Sequence, residues 1–405
     1  MIRICLILIL LLPACISKAQ PARPFPQHVQ YCDGSILPHS VSQHEMDNVV
    51  KSFYEEWKRK YVRKGCHSGE AFVWYDLSGK IRCVSEGQGY GMMIVALMAG
   101  IDDSAQYVFN GMLKYYRAHP SGRSDRLMAW AQTKNCRDVD TTSATDGDLD
   151  IAYALLLADT QWGSLGTIDY RKEAAEILEA IWYQDINQKS FSILLSNAVE
   201  YDSKDYFDMR TSDFMPAHFK SFESIAKDGR WKKVIDQNYA MFQSLQEQYS
   251  PDAGLLPDFV GHIDQKPRPA HARFKESRFD GMYNYNACRI PWRLATDYLL
   301  YGDRRALLVL TKINRWLRET TKDNPDNISA GYSLAGDDLK NRHFEALSFI
   351  GPFAISAMID GKNQPWLNSL WNYLVNFKLK DFDYYDNTIK LINLIILSGN
   401  YWSPK

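Results

Sequence analysis

The sequence has no excess of charge of either sign, since 47 Lys and Arg residues stand against 48 Asp and Glu residues. Nucleic-acid-binding proteins usually carry a strong basic excess, so we expect no nucleic-acid partner. No CxxC or His-rich spacing indicates a metal site, and beyond the N-terminus no apolar run is long enough to span a membrane. We therefore expect neither a bound metal nor an integral membrane segment.

Low-complexity linkers and short repeats are absent, and alternating strand patterns are scarce. The clearest strands, residues 72–75 and 80–84, are predicted to form a hairpin around Ser78 and Gly79. Helical periodicity is abundant by contrast. The first helix follows a capping box at 42–45. The other predicted helices lie near residues 86–100, 105–118, 148–160, 167–185, 212–226, 231–248, 283–302, 303–320, 343–360, 364–378 and 386–398.

These twelve helices lack a βα rhythm, which argues against a TIM barrel and favours an all-α packing of helical hairpins. Residues 92–99 and 150–158 are apolar nearly all round, as is typical of helices buried on every side. Other helices alternate polar and apolar faces, as an outer layer would. The pattern is consistent with an (α/α)6 barrel of six helical hairpins in one domain, 20–405, although periodicity alone leaves a two-layer bundle open.

The N-terminus has the layout of a secretory signal peptide, predicted to cover residues 1–19. One positive charge at Arg3 precedes an apolar run over 4–12, and small residues follow. A competing lipoprotein-type site would anchor the chain at Cys15. In either case we expect the protein to be secreted or periplasmic in a bacterium.

Outside the signal region the cysteines are odd in number, so at least one stays free. They are Cys32, Cys66, Cys83, Cys136 and Cys288. Cys66 and Cys83 are candidates for a disulfide in an oxidising compartment, although sequence alone does not establish the pairing.

The segment SEGQGYGM, residues 85–92, places a charge at the mouth of an apolar helix. A carboxyl walled by apolar groups has a raised pKa, which suits Glu86 to act as a general acid. The neighbouring glycines are predicted to let a large ligand approach the backbone. The alternative is a Glu that only favours the helix N-terminus electrostatically.

Two further segments are rich in polar side chains. In ATDGDLDIAYALLLA, residues 144–158, three acids alternate at the start of a second buried helix, which is more than a cap requires. The segment at 274–293 combines two acids, three arginines and several aromatics around a glycine. Taken alone, a loop of the latter kind is usually polar surface.

The segments at 85–92 and 144–158 resemble the two signature segments of glycoside hydrolase family 8, and YNACRIPWR at 285–293 resembles its third block. Further similarity is seen at 25–27, 127–130, 210–215 and 398–402. The resemblance implies an (α/α)6 barrel that hydrolyses β-1,4-type glycans with inversion in an open cleft. It also implies that a polysaccharide is the ligand and that no cofactor is needed, and we expect a monomer.

The resemblance also assigns roles to residues. Glu86 matches the general acid, and Asp146 matches the Asp that holds the sugar at the cleavage point and helps to place the water. Arg289 matches the Arg near the base. Trp130 is expected to stack on a sugar ring, as is Phe214. The remaining predicted substrate-binding residues are Tyr285, Asn286 and Asp213.

One departure concerns the catalytic base, an Asp in many family members where this chain has Asn286. An Asn cannot accept a proton at neutral pH. A second subgroup, which includes chitosanases and mixed-linkage glucanases, also has Asn here and takes its base from a Glu on an inserted loop upstream. Glu276 lies in a segment resembling that loop and is the predicted base, with Asp280 as a weaker substitute.

Three functions stay open at this point. The subgroup resemblance favours an endo-acting hydrolase of chitosan by a narrow margin, since Asp148, Asp213 and Asp280 are candidate carboxylates for a cationic substrate. A mixed-linkage β-glucanase or endoglucanase of the same family is the first alternative. The second is a catalytically inactive carbohydrate-binding barrel, which Asn286 would explain.

Overall fold

A computed structural model describes residues 20–76, 79–339 and 344–404. In these ranges the α-helices are α1 Gln43–Tyr61, α2 Ser85–Leu97, α3 Ala105–Ala118, α4 Thr145–Trp162, α5 Tyr170–Gln184, α6 Pro216–Ala226, α7 Arg230–Tyr249, α8 Ile290–Tyr301, α9 Arg304–Thr321, α10 Leu347–Ala357, α11 Gln364–Asn376 and α12 Tyr384–Leu397. The short strands are β1 Val62–Lys64, β2 Ala71–Val73, β3 Ile81–Val84, β4 Pro120–Ser121, β5 Ser124–Met128, β6 Ala131–Thr133, β7 Asp138–Asp140, β8 Met209–Arg210, β9 Phe259–Gly261 and β10 Arg268–Pro269.

The even-numbered helices form a closed inner ring. Each packs against the next, from α2 through α4, α6, α8 and α10 to α12, and α12 returns to α2. The odd-numbered helices lie outside, and each contacts its even-numbered partner along the chain, as α1 reaches α12 and α3 reaches α2. The predicted (α/α)6 barrel is confirmed, and the two-layer bundle is excluded because the ring closes.

The division into rings follows from side-chain patterning. In α4 nearly every residue from Thr145 to Ala158 is buried, so the helix has no solvent face. In α9 the buried residues recur at intervals of three and four from Ala306 to Leu317, which gives one apolar face and one solvent-exposed face. The first helix begins with the predicted capping box, in which the Ser42 and Glu45 side chains each cap the other's backbone N–H.

The predicted pairing of residues 72–75 with 80–84 in one hairpin is wrong, and Ser78 of the predicted turn lies outside the described residues. β2 pairs antiparallel with β1, and β3 pairs antiparallel with β6. The Tyr75 N–H does donate to the Arg82 carbonyl at 2.7 Å, but the two strands take other partners. Alternation of apolar residues indicates which face of a strand is buried, but it does not indicate the strand with which it pairs. The pairing of β2 and β3 therefore depends on contacts with more distant parts of the chain.

The disulfide joins Cys66 to Cys136 and not to Cys83. Cys83 lies in β3 with a fully buried side chain, while Cys32, Cys83 and Cys288 are free thiols. The expectation of at least one free cysteine is confirmed. The bridge ties the loop after β1 to the loop between β6 and β7, close to the end of the barrel that carries the polar segments.

Replacing both Cys66 and Cys136 by Ala is expected to lower the free energy of unfolding by about 2–4 kcal/mol, because the crosslink restricts the unfolded chain. The bridge spans 70 residues of sequence, so the loop that it closes is long. Urea denaturation without reductant measures the change, with Cys32→Ala as a control that should leave the midpoint unaltered. An unchanged midpoint in the double variant would contradict a stabilising role.

Among the described residues no helix combines the length and the hydropathy that a membrane span requires. Residues 1–19, which carry the predicted signal peptide and Cys15, lie outside the described residues.

Candidate active site

A cavity of about 350 Å³ opens at the N-terminal ends of the inner helices. It is lined by the starts of α2 and α4, by the segments that lead into α6 and α8, and by the first turn of α12. The lining residues are Tyr75, Val84, Ser85, Glu86, Trp130, Ala144, Asp146, Arg210, Glu276, Tyr285, Asn286 and Tyr385. Six of the nine predicted site residues therefore line one cavity, although they come from distant parts of the chain.

Glu86 lies in the first turn of α2, and its side chain is 17% exposed toward this cavity. Its Oε2 accepts a hydrogen bond from Arg289 Nη1 at 2.5 Å. Burial raises the pKa of Glu86 to about 7, even though the Arg289 guanidinium acts in the opposite direction. The carboxyl is therefore protonated in much of the population at neutral pH, as its sequence setting predicts.

The glycines beside Glu86 serve helix packing and not ligand approach. A Cβ on Gly89 would lie 2.7 Å from the Cβ of Asp150, and one on Gly91 would lie 2.2 Å from a methyl group of Val73. Both glycines are buried. The expectation that they open the backbone to a large ligand is wrong, because α4 and β2 occupy that space.

Asp146 lies between two guanidinium groups. Its Oδ2 accepts hydrogen bonds from Arg289 Nη1 at 3.0 Å and from Arg210 Nη1 at 3.1 Å, and its Oδ1 accepts the Gly147 N–H at 2.9 Å. Burial alone would raise the pKa of Asp146, but the two cations outweigh burial and hold it at about 2. Asp146 is therefore an anion at neutral pH, whereas the neighbouring Glu86 is protonated in much of the population.

The other two acids of the segment 144–150 do not reach the cavity. Asp148 is fully buried and accepts the Met128 N–H at 3.1 Å, and burial raises its pKa to about 8. Asp150, also fully buried, contacts Arg293 and His218 inside the barrel. Successive acids on one helix thus face the cavity, a strand and the barrel interior.

Glu276 lies on the exposed loop between β10 and α8, and its carboxylate also lines the cavity. A row of hydrogen bonds connects it to Glu86. Asn286 Nδ2 donates to Glu276 Oε2 at 2.8 Å, and Asn286 Oδ1 accepts from Arg289 Nη2 at 3.1 Å. Together with the Arg289–Glu86 contact, the row runs from Glu86 through Arg289 and Asn286 to Glu276.

This row explains why residue 286 is an Asn. The side chain must accept from a guanidinium, which has no acceptor, and donate to a carboxylate, which when ionised has no donor. An Asp at 286 would place a second carboxylate 2.8 Å from Glu276 Oε2, where like charges oppose each other. Only the amide satisfies both neighbours at once.

Asp280 is not placed to act as a base. Its side chain is fully buried, and its two oxygens accept the backbone N–H groups of Lys275, Glu276 and Ser277. Its carboxylate faces the backbone of the loop and not the cavity, so the prediction of Asp280 as a substitute base is wrong.

Three of the predicted substrate-binding residues do not line the cavity. Arg289 is 1% exposed, and its guanidinium donates hydrogen bonds to Glu86, Asp146 and Asn286.

The other two are Phe214 and Asp213. The ring of Phe214 is 1% exposed and packs edge-on against Tyr239 and Phe242, with centroids 4.9 and 5.1 Å away. Asp213 is fully buried behind Arg210, with Oδ1 3.3 Å from Arg210 Nε. Their motif is near the site, but these two side chains point into the core, and the predicted sugar contacts are wrong for both.

Aromatic side chains flank the carboxyl groups. Trp130 is half-buried, and its side chain lies near the Asp140 carboxylate of β7. Tyr285 is likewise half-buried, and its carbonyl accepts from the Tyr385 hydroxyl at 2.7 Å. Tyr75 is 39% exposed at the rim. Trp130 and Tyr285, which were predicted to bind substrate, both line the cavity. Tyr75 and Tyr385 also line it, but no sequence signal distinguished them from other aromatic residues.

Asp258 and Arg210 were missed as site residues. Asp258 Oδ1 accepts the backbone N–H groups of Asn284, Asn286 and Ala287 at 3.0, 3.1 and 2.7 Å, which fixes the turn that presents Asn286. Burial raises the pKa of Asp258 to about 7. Nothing in the sequence around Asp258 marked it. Arg210 opens the segment 210–215, whose family similarity was the available signal.

Comparisons with known proteins agree with this geometry. The chain is 43% identical over 404 residues to a β-glucanase of Niallia circulans, covering 99% of this chain and 97% of that protein. It is 37% identical over 399 residues to an endoglucanase of Bacillus sp. strain KSM-330, covering 95% and 83%. The apo structure of a β-1,3-1,4-glucanase from Paenibacillus sp. X4 superposes with a TM-score of 0.91 at 43% identity, over 95% of this chain and all of that one.

A family model for the glycosyl hydrolases of family 8 matches residues 24–399, which is nearly the whole chain. The inactive carbohydrate-binding barrel that Asn286 suggested is not supported, because Asn286 sits between Arg289 and a retained Glu276. The chain is a glycosidase, and it belongs to glycosyl hydrolase family 8.

Proposed function

We propose that the chain is an endo-acting, inverting β-glucanase that hydrolyses mixed-linkage β-1,3-1,4-glucan, with Glu86 as general acid and Glu276 as general base. The observation that carries the proposal is the row of hydrogen bonds from Glu86 through Arg289 and Asn286 to Glu276. It places one buried carboxyl and one exposed carboxyl in the same cavity without direct contact between them.

The names of the relatives and the charge of the cavity both support the proposed substrate. The named relatives are a β-glucanase and an endoglucanase, and the superposed structure is a β-1,3-1,4-glucanase. The slight preference for chitosan is not supported. Its three candidate carboxylates, Asp148, Asp213 and Asp280, are fully buried, and Arg210 adds positive charge to the cavity wall.

The protonated Glu86 would donate its proton to the glycosidic oxygen as the bond from that oxygen to the anomeric carbon breaks. Glu276 would take a proton from a water molecule, whose oxygen forms the new bond to the anomeric carbon from the opposite face. The released chain carries the proton from Glu86, and the new reducing end carries the water oxygen with inverted configuration. No further reactant is required.

Inversion requires the two carboxyl groups to stand roughly 6.5–9.5 Å apart, so that a water fits beside the sugar, whereas retention requires about 5 Å. Here a whole guanidinium and a whole amide separate Glu86 from Glu276. This spacing by two intervening groups supports the inverting assignment.

Asp146 has a different task. Because its pKa is held at about 2, it remains ionised and cannot donate a proton at neutral pH. Its oxygens are fixed by Arg210, Arg289 and the Gly147 N–H. A fixed anion beside the reacting sugar would accept a hydroxyl hydrogen bond and stabilise the positive charge that develops at the anomeric carbon. Trp130 and Tyr285 would stack on neighbouring sugar faces.

The test is reducing-end release by the purified chain on lichenan, carboxymethyl cellulose and chitosan, with proton NMR of the first product formed. Cleavage of lichenan with an inverted anomer supports the proposal. A retained anomer contradicts the roles of Glu86 and Glu276. Cleavage of chitosan without lichenan contradicts the substrate.

The pH dependence of kcat/KM should reflect the protonation state of Glu86. Its raised pKa of about 7 means that the acid is available below pH 7 and is lost as the pH rises through that value. We expect kcat/KM to fall above about pH 7, approaching tenfold per unit. The control is Glu86→Gln on a substrate whose leaving group needs no proton, where the alkaline limb should vanish; a limb that persists there belongs to another group.

We also propose that residues 20–405 act as one domain outside the cytoplasm. The closure of α12 onto α2 supports the single domain, and the Cys66–Cys136 disulfide supports an oxidising compartment. Mass spectrometry of the exported chain would show whether processing follows Ala19 or yields a lipid-modified Cys15.

A further inference from the structure

We propose that Asp280 is a positioning residue for catalysis, which holds the loop that carries Glu276 in the geometry that a general base needs. The inference rests on the proposed function, since it takes Glu276 to be the base. Asp280 would not touch the substrate or the water. It would act only through the backbone of the residues that present the base.

The carboxylate of Asp280 binds one turn of backbone on both of its oxygens. Oδ2 accepts the N–H groups of Lys275 at 2.7 Å and Glu276 at 2.9 Å, and Oδ1 accepts the N–H of Ser277 at 2.7 Å. Hydrogen bonds from N–H groups to a carboxylate are among the stronger ones in proteins. Three successive residues, with Glu276 in the middle, are thus fixed to one side chain.

Asp280 is itself fixed to the scaffold. Its carbonyl accepts the N–H of Phe259 in β9 at 2.9 Å, and its side chain is fully buried. The next residue packs closely too, because a Cβ on Gly281 would lie 2.1 Å from the Ala270 carbonyl oxygen. Asp280 therefore links a well-packed sheet on one side to an exposed loop on the other.

The base needs such a link because its own surroundings are open. Glu276 is exposed, and its carboxylate is held from the cavity side by Asn286 Nδ2 at 2.8 Å. On the outer side, Lys275 pairs with Asp205 at 2.6 Å, but that pair is partly exposed and therefore weak. Asp280 fixes the backbone end of Glu276 and Asn286 fixes the carboxylate end. A base fixed at both ends keeps its distance from the water that it activates.

The variant Asp280→Asn keeps nearly the same side-chain shape but cannot accept all three backbone hydrogen bonds of the loop. An amide has one oxygen, so its NH2 group must face an N–H group of the loop, where two donors meet. A displacement of about 1 Å in a catalytic group can lower the rate about 10²-fold, and we expect a fall in kcat of that order with KM nearly unchanged. The matched control is Asp264→Asn, at an exposed Asp of the neighbouring loop, which should keep the kcat of the parent enzyme.

A second substrate separates the base side from the acid side. On a β-glucan oligosaccharide fluoride, fluoride leaves without protonation, so Glu86→Gln should regain most of its rate. Glu276→Gln and Asp280→Asn should both stay slow, because water must still be deprotonated. Recovery of Asp280→Asn on the fluoride would show that its defect lies elsewhere and would overturn the proposal.

The outcomes distinguish the two proposals. If Glu276→Gln keeps full activity, Glu276 is not the base and the proposed function fails. If Glu276→Gln is inactive while Asp280→Asn keeps the parent kcat, the positioning role alone fails. Hydrogen exchange of the unaltered enzyme gives a test that needs no variant: the amides of residues 275–277 should be protected although the loop is exposed, and free exchange there would contradict the proposal.

Discussion

Replacing Glu86 by Gln is expected to lower kcat on lichenan by about 10²–10⁴-fold, the range that proton transfer by a positioned acid contributes. The residue lies in a cavity where burial raises its pKa to about 7, so below neutral pH its carboxyl is largely uncharged. Gln has the same shape and the same charge as the protonated acid. Binding of the polysaccharide and the fold should therefore survive, while the proton is no longer available to the leaving group.

The measurement is kcat and KM from reducing-end release, with binding followed by affinity electrophoresis in lichenan. Glu200→Gln makes the same substitution at a residue that does not line the cavity and whose side chain is 62% exposed, and it should be neutral. A Glu86→Gln enzyme that keeps more than about a tenth of its rate would show that another group protonates the leaving oxygen, since so small an effect falls below the acid-catalysis range.

The second large effect concerns stability. Asp150→Ala is expected to lower the free energy of unfolding by about 3–5 kcal/mol, because it removes one partner of a buried ion pair and leaves a charge uncompensated. Asp150 Oδ1 and Oδ2 accept from Arg293 Nη1 and Nη2 at 2.9 and 2.7 Å. His218 Nε2 lies 2.9 Å from the same Oδ1. Burial lowers the pKa of His218 to about 4, so Arg293 is the cation that would be stranded.

These three side chains come from α4, α6 and α8, so the network ties together three helices of the inner ring. Chemical denaturation followed by circular dichroism measures the loss. Asp228→Ala is the control, because Asp228 also pairs with an Arg, at 2.6 Å, but is 42% exposed at the surface. Exposed pairs contribute about 0–1 kcal/mol, and a loss of that small size in Asp150→Ala would contradict the buried network.

For the acids at 146, 148 and 150, the sequence predicted an unusual segment but not the contacts of each side chain. Their spacing on a buried helix marked the segment as unusual, and the resemblance singled out Asp146. The sequence of the segment does not reveal the partners of these acids. Asp146 contacts two guanidinium groups, Asp148 accepts a backbone N–H from β5, and Asp150 pairs with Arg293. Those partners lie on other helices and strands, and a helix alone fixes only the direction in which each side chain leaves it.

The same limit applies to the aromatic residues. Trp130 and Phe214 are both aromatic residues that can stack on a sugar, and both lie in segments that resemble segments of the family. The fold leaves Trp130 at the cavity and packs Phe214 against Tyr239 and Phe242 in the core. Residue type determines what a ring can do, and only burial decides whether a ligand can reach it.

The sequence by itself determined the helices, their division into buried and amphipathic sets, and the segment that holds Glu86. These depend on periodicity and composition over a few turns, which are local properties. The tertiary structure alone decided the disulfide partner, the strand pairing and the different surroundings of Glu276 and Asp280. Each of these depends on contacts between residues far apart in the chain, such as Glu86 and Arg289, which are separated by 203 positions and meet at 2.5 Å only because the inner ring closes.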